Sequence, residues 1–176
     1  MEDKSTVEIG PILERMRAFP GVLRAAVGGL SRGDLRWRPG ADGWPIVEIV
    51  WHLVDEEELD FPRRLRSTIE EPEKAWPAID PEGWASDGAY RDRDAAAGVD
   101  EFERRRLANL EWLRTLTHDD LERAYPHPEW GAVRASVLFA SWCAHDALHL
   151  RQISKRLYQL VERDAPGVDL RYAGSW

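Results

Sequence analysis

The chain has 176 residues, enough for one well-packed domain and short for two. Apolar residues make up 43% and charged residues 32%, the balance of a water-soluble globular protein, and no apolar run reaches the roughly 18 to 20 residues that a membrane span needs. A formal net charge of -8 argues against a nucleic-acid surface, which needs clustered Lys and Arg in excess of the acids.

The amino terminus, Met-Glu-Asp-Lys-Ser, is acidic with no apolar stretch behind it, as expected of a cytoplasmic protein. Thr6 is positioned to cap a first helix carrying Ile9, Ile12, Leu13, Met16 and Phe19 at helical spacing. Pro20-Gly21 interrupts that period before Val22, Leu23, Ala26 and Val27 resume it, so the helix is expected to kink or break. Residues 31–43 are rich in breakers and read as a loop. A second helix opens at Trp44-Pro45, carries Ile46, Ile49, Val50, His52, Leu53 and Val54, and meets Pro62, which should kink or end it.

Residues 71–94 show no sustained period and read as a long loop, often a binding loop or lid. The third helix covers about residues 94–116. Thr117 and Asp120 resemble a capping box, and Tyr125 to Gly131 reads as a loop because of its two prolines. The last helix spans about residues 132–161. With no alternation long enough for a sheet, the expectation is an all-α four-helix bundle over residues 1–164, followed by a tail over 165–176. The basic clusters Arg63-Arg64-Leu65-Arg66 and Arg104-Arg105-Arg106 read as solvated helix faces. The single cysteine, Cys143, excludes an internal disulfide and reads as a small buried hydrophobe.

Of five histidines, His118 and His127 lie at a helix start and in a loop, and read as exposed polar residues. His145 and His149 stand four apart on the last helix, which places both imidazoles on one face about 6 Å apart along the axis. His52 is the remaining histidine inside a helix. A pair at that spacing with a third imidazole on a neighbouring helix can share one ion, and three protein ligands leave a position open for water or substrate. The His-Asp-Ala-Leu-His pattern lacks the glutamate of the His-Glu-x-x-His zinc peptidases.

Trp44-Pro45-Ile46-Val47-Glu48-Ile49-Val50-Trp51-His52-Leu53-Val54-Asp55-Glu56-Glu57, joined to Ala144-His145-Asp146-Ala147-Leu148-His149-Leu150-Arg151-Gln152-Ile153, resembles the DinB/YfiT-like superfamily of metal-dependent proteins. The resemblance implies a four-helix bundle of unusual connectivity, a homodimer, and a divalent metal on His52, His145 and His149, with zinc, nickel or iron all suited to imidazole. Gln152 matches the position after the second histidine and is expected in the site wall. Glu48 and Asp146 are candidates to hold the ligating imidazoles.

Relatives that use bacillithiol or mycothiol make a metal-dependent thiol S-transferase the first functional expectation, with Trp76, Trp84, Tyr90 and Trp130 forming an apolar pocket for the electrophile. Metal-assisted hydrolysis is the alternative, and it needs a general base, for which Glu48 or Asp55 would have to reach the site. A non-enzymatic metal-binding homodimer is the third reading.

Overall fold

The computed structural model describes residues 7–40 and 43–174. Thr6, the expected first cap, lies outside them. Four long segments build the bundle: α1 (Ile9–Val27), α3 (Ile46–Leu59) continued by α4 (Phe61–Glu70), α6 (Ala95–Leu113) and α8 (Ala135–Asp164). Shorter helices α2 (Arg32–Arg36), α5 (Pro81–Asp87) and α7 (His118–Glu122) lie in the connections. The all-α four-helix bundle expected from periodicity is the observed architecture.

α3 is the central helix. Nine of its fourteen residues are buried, including His52, Glu56 and Glu57. A helix buried on most of its circumference must find partners for its polar side chains. It stops where expected: Asp60 leaves helical geometry and Phe61-Pro62 starts α4, Pro being tolerated in a first turn because that N–H has no helical partner. α3 packs tightly on α6 at Gly98, where a Cβ would stand 2.8 Å from Val50 Cγ1 and 3.1 Å from the Trp51 ring. Gly98→Ala is expected to destabilise the fold by about 1–2 kcal/mol, overpacking outweighing the gain in helix propensity. Urea unfolding measures this, and a stabilised variant would show that the two helices separate easily.

Several local expectations are corrected. α1 runs unbroken through Pro20. Pro20 has no N–H for the carbonyl of Met16, and the Arg106 guanidinium supplies the missing donor at 3.1 Å from Met16 O. The breaker-rich stretch 31–43 contains α2, closed at its start by a capping box between Ser31 and Asp34. The 71–94 stretch is no structureless loop: Asp80 caps α5, and a 3-10 turn follows at Tyr90–Asp92.

Residues 124–134 form a two-stranded hairpin, β1 (Ala124–His127) antiparallel to β2 (Gly131–Arg134). Four-residue strands are too short to alternate visibly, and Pro126 conceals an edge strand that donates no hydrogen bond there. α8 consequently begins at Ala135, after β2.

Candidate metal centre

His52 projects from the buried face of α3, and His145 and His149 from one face of α8. Side-chain nitrogens of the three lie within 4.8 Å of one another. His145 Nε2 and His149 Nε2 are 3.0 Å apart, and the His52 ring centroid is 4.7 Å from that of His149 and 5.6 Å from that of His145. Aromatic rings enclose the group. Trp44 meets His52 edge-on at 4.8 Å, its carbonyl held by Arg156 Nε at 2.9 Å, and Phe61 meets His145 at 5.1 Å.

Burial controls the charge of the three rings. Desolvation, with smaller contributions from the neighbouring imidazoles, depresses His52 to about 2. Desolvation depresses His145 to about 3, assisted by His149 and the Arg106 charge. His149 is also lowered by burial, against a hydrogen bond with Gln152 that favours protonation. The rings are therefore neutral at neutral pH, with lone pairs available.

This has a measurable consequence for the metal-free protein. A histidine whose folded pKa is depressed takes up a proton on unfolding, so its contribution falls as pH drops below the unfolded value near 6.5. Relative to His145→Asn, metal-free wild type is expected to lose about 1.4 kcal/mol per pH unit on acidification below pH ~6. Parallel urea titrations at pH 6 and pH 4 should show the gap closing; a constant gap would mean that His145 is protonated in the folded state.

The expected accessory residues divide. Gln152 Oε1 lies 2.9 Å from His149 Nδ1, in the wall where it was anticipated. Glu48 is half-buried, its carboxyl raised by burial and opposed by the charges of Arg38 and Arg91. Asp55 accepts a hydrogen bond from Tyr90 Oη and lies 3.7 Å from Arg105, turned toward α6. Asp146 does not hold an imidazole: both of its oxygens accept from Arg106, at 2.7 and 2.9 Å.

The residue missed in the sequence is Glu56. Its Oε1 lies 3.6 Å from His52 Nε2, and its side chain is buried. Burial, reinforced by the adjacent Asp60 carboxyl, pushes its pKa upward. The signal was present, four residues after His52 on the same helical face, but hidden in an acidic run from Asp55 to Asp60.

Of the four aromatics expected to form one pocket, Trp76 and Trp130 line a common cavity. Tyr90 is buried against Asp55 instead, and Trp84 sits on α5 outside that cavity. Cys143 is half-buried and faces the Ile12 carbonyl. His118 is exposed, while His127 stacks on Trp130 at 4.3 Å.

A helical bundle with three neutral imidazoles converging from two of its helices defines a class of protein built around one cation-competent centre. Residues 15–153 match the DinB superfamily, and the chain belongs to that family. It is 28% identical over 152 residues to a Bacillus cereus (strain ATCC 10987) protein named "Putative metal-dependent hydrolase", covering 82% of this chain and 84% of that one. A protein of the same description from Oceanobacillus iheyensis is 24% identical over 151 residues, covering 85% and 86%. Among solved structures, YfiT from Bacillus subtilis, described as "a probable metal-dependent hydrolase with an unusual four-helix bundle topology", superposes with a TM-score of 0.79 over 91% of this chain and 93% of that one. At 17% identity that likeness establishes the fold. No helix among the described residues is long and apolar enough to cross a membrane.

Proposed function

We propose that this chain is a metal-dependent hydrolase of a small-molecule substrate, with His52, His145 and His149 as the metal ligands and Glu56 as the proton-handling carboxyl. The observation that carries this reading is a buried carboxyl placed against a three-imidazole cluster. The names of the Bacillus cereus and Oceanobacillus iheyensis relatives support it.

The residues fit a divalent cation. Each of the three imidazoles places a side-chain nitrogen within 4.8 Å of the other two, close enough to share one ion. All three rings are held neutral, the state in which imidazole ligates. Zinc, nickel and iron all suit such a set. A divalent ion bound there supplies an open Lewis acid that makes water or a thiol acidic near neutral pH.

The chain's own groups do the rest. The carbonyl oxygen of Gln152 accepts the Nδ1–H of His149, a tautomer assigned from this contact, and so turns the Nε2 lone pair toward the other two rings. Burial and the Asp60 carboxyl push the Glu56 pKa up to about 8, so without a cation this carboxyl holds its proton at neutral pH. The charge of an ion on the three imidazoles would lower that pKa and free the carboxylate to accept a proton from water. Trp44 and Phe61 shield the imidazoles from bulk water.

Glu56→Gln keeps the shape and removes the proton acceptor. With metal content unchanged, kcat for a hydrolysable ester or amide is expected to fall about 10²-fold or more. An unchanged kcat would exclude Glu56 as the base, and loss of metal with it would make Glu56 part of the binding shell instead.

Thiol transfer remains the second reading. Cys143 faces α1, so a thiol at the centre has to arrive as a co-substrate such as bacillithiol or mycothiol. Turnover that requires added thiol, and persists in Glu56→Gln, favours transfer over hydrolysis.

A further inference from the structure

A cavity of about 430 Å³ lies between α4, the start of α8 and the hairpin. That is the size range of small-molecule pockets. Its walls are apolar and aromatic: Phe61, Trp76, Trp130, Val133, Val137 and Leu138. Trp130 is 70% exposed and Val137 53%, so large apolar side chains stand open to solvent at the mouth.

The inner wall is shared with the three-histidine centre. Phe61 lines the cavity and also meets the His145 ring at 5.1 Å. Asp60 lines it too, and its carboxyl is hydrogen-bonded to that of Glu56. Along α8, Leu138 and Ser141 of the cavity precede His145 by seven and four residues, which puts them on one helical stripe leading to the imidazole. The charged lining residues form an ion pair, Arg64 Nε lying 3.0 Å from Asp60 Oδ1 but outside hydrogen-bond geometry, so their charges offset each other. No uncompensated charge is offered to an occupant, and burying an ionised group beside this pair would cost its hydration without a counter-charge.

We infer that this cavity binds the apolar part of an uncharged substrate, an aromatic or branched acyl group, and delivers its reacting carbonyl past Phe61 to the three-histidine centre. The inference rests on that centre being the reacting site. It names neutral esters and amides with an aromatic or bulky aliphatic substituent as the substrate class, and sets carboxylate-bearing compounds aside.

The test uses 4-fluorobenzamide as the probe and fluorine NMR line widths as the readout. Trp130→Ala and Val137→Glu alter exposed positions, so both should retain the wild-type melting temperature while weakening binding about tenfold. Val161→Glu, at an exposed position elsewhere on α8, should bind like wild type. The anion 4-fluorobenzoate should bind at least tenfold more weakly than the amide, about the cost of leaving a buried charge unpaired. Cobalt-loaded protein should add paramagnetic relaxation to the bound fluorine, and cobalt-treated His149→Ala should not.

Equal binding by wild type, Trp130→Ala and Val137→Glu would overturn the cavity assignment. Equal binding of the anion would overturn the neutral-substrate claim. Normal binding without cobalt-dependent relaxation would separate the cavity from the centre. None of these readouts needs turnover, so absent hydrolysis with all of them in place counts against the reaction and leaves the pocket standing.

Discussion

Arg106→Leu is expected to destabilise the protein by about 3–5 kcal/mol, the cost of leaving buried charges without a partner. Arg106 has no solvent exposure. Its Nε and Nη2 donate to Glu57 at 3.0 and 2.7 Å, and its two terminal nitrogens donate to Asp146. Burial alone would weaken this guanidinium's hold on its proton, but Glu57 and Asp146 more than reverse that. Removing it strands two buried carboxylates and leaves the Met16 carbonyl, freed by Pro20, with no donor.

Glu57 would still accept from Trp142 Nε1 at 2.7 Å and Asn109 Nδ2 at 3.1 Å, so Asp146 is the more exposed to loss. Burial raises Asp146 to about 6 even with Arg106 beside it, so the variant is expected to protonate Asp146 at neutral pH. Adding Glu57→Gln and Asp146→Asn removes the stranded charges and should recover most of the lost stability. Chemical denaturation of the single and triple variants measures both effects. A loss below about 1 kcal/mol for Arg106→Leu would show that water reaches the network.

The second large effect concerns the ion. At a free metal concentration about a thousandfold above Kd, the wild type should gain about 4 kcal/mol over its chelator-treated form, because the pre-formed neutral site exists only in the folded chain. His149→Ala should lose most of that increment while its metal-free stability stays close to wild type, since the ring is only partly buried. His52→Ala should lose it as well. Denaturation with and without chelator, alongside elemental analysis, provides the check. An undiminished increment in both variants would place the bound ion elsewhere on the chain.

These two networks are interleaved. Glu56 and Glu57 are consecutive on α3, one turned to His52 and the other to Arg106; His145 and Asp146 divide in the same way on α8. Arg106 thus ties together the two helices that carry the imidazoles, and fixes their relative rotation one residue away from the centre. Its reach also spans both halves of the core, meeting the Met16 carbonyl at 3.1 Å and lying 5.9 Å from the Trp142 ring on one side, and 4.7 Å from the Phe102 ring on the other.

What could be read from the chain alone was whatever depends on local spacing. Apolar periodicity located the long helices, Pro62 marked the end of α3, and the four-residue interval of His145 and His149 put two imidazoles on one face before any tertiary contact was known. His52 followed as the remaining histidine inside a helix. Tertiary structure decided what depends on which face turns inward. Arg106 sits in a run with Arg104 and Arg105 that looks solvated, and Glu56 sits in a run of acids that looks the same. Only packing shows that α3 is buried on most of its surface and that one arginine of the three points into the core. A charge is identical in sequence whether it faces water or a buried partner; the difference is desolvation, and that is a property of the assembled bundle.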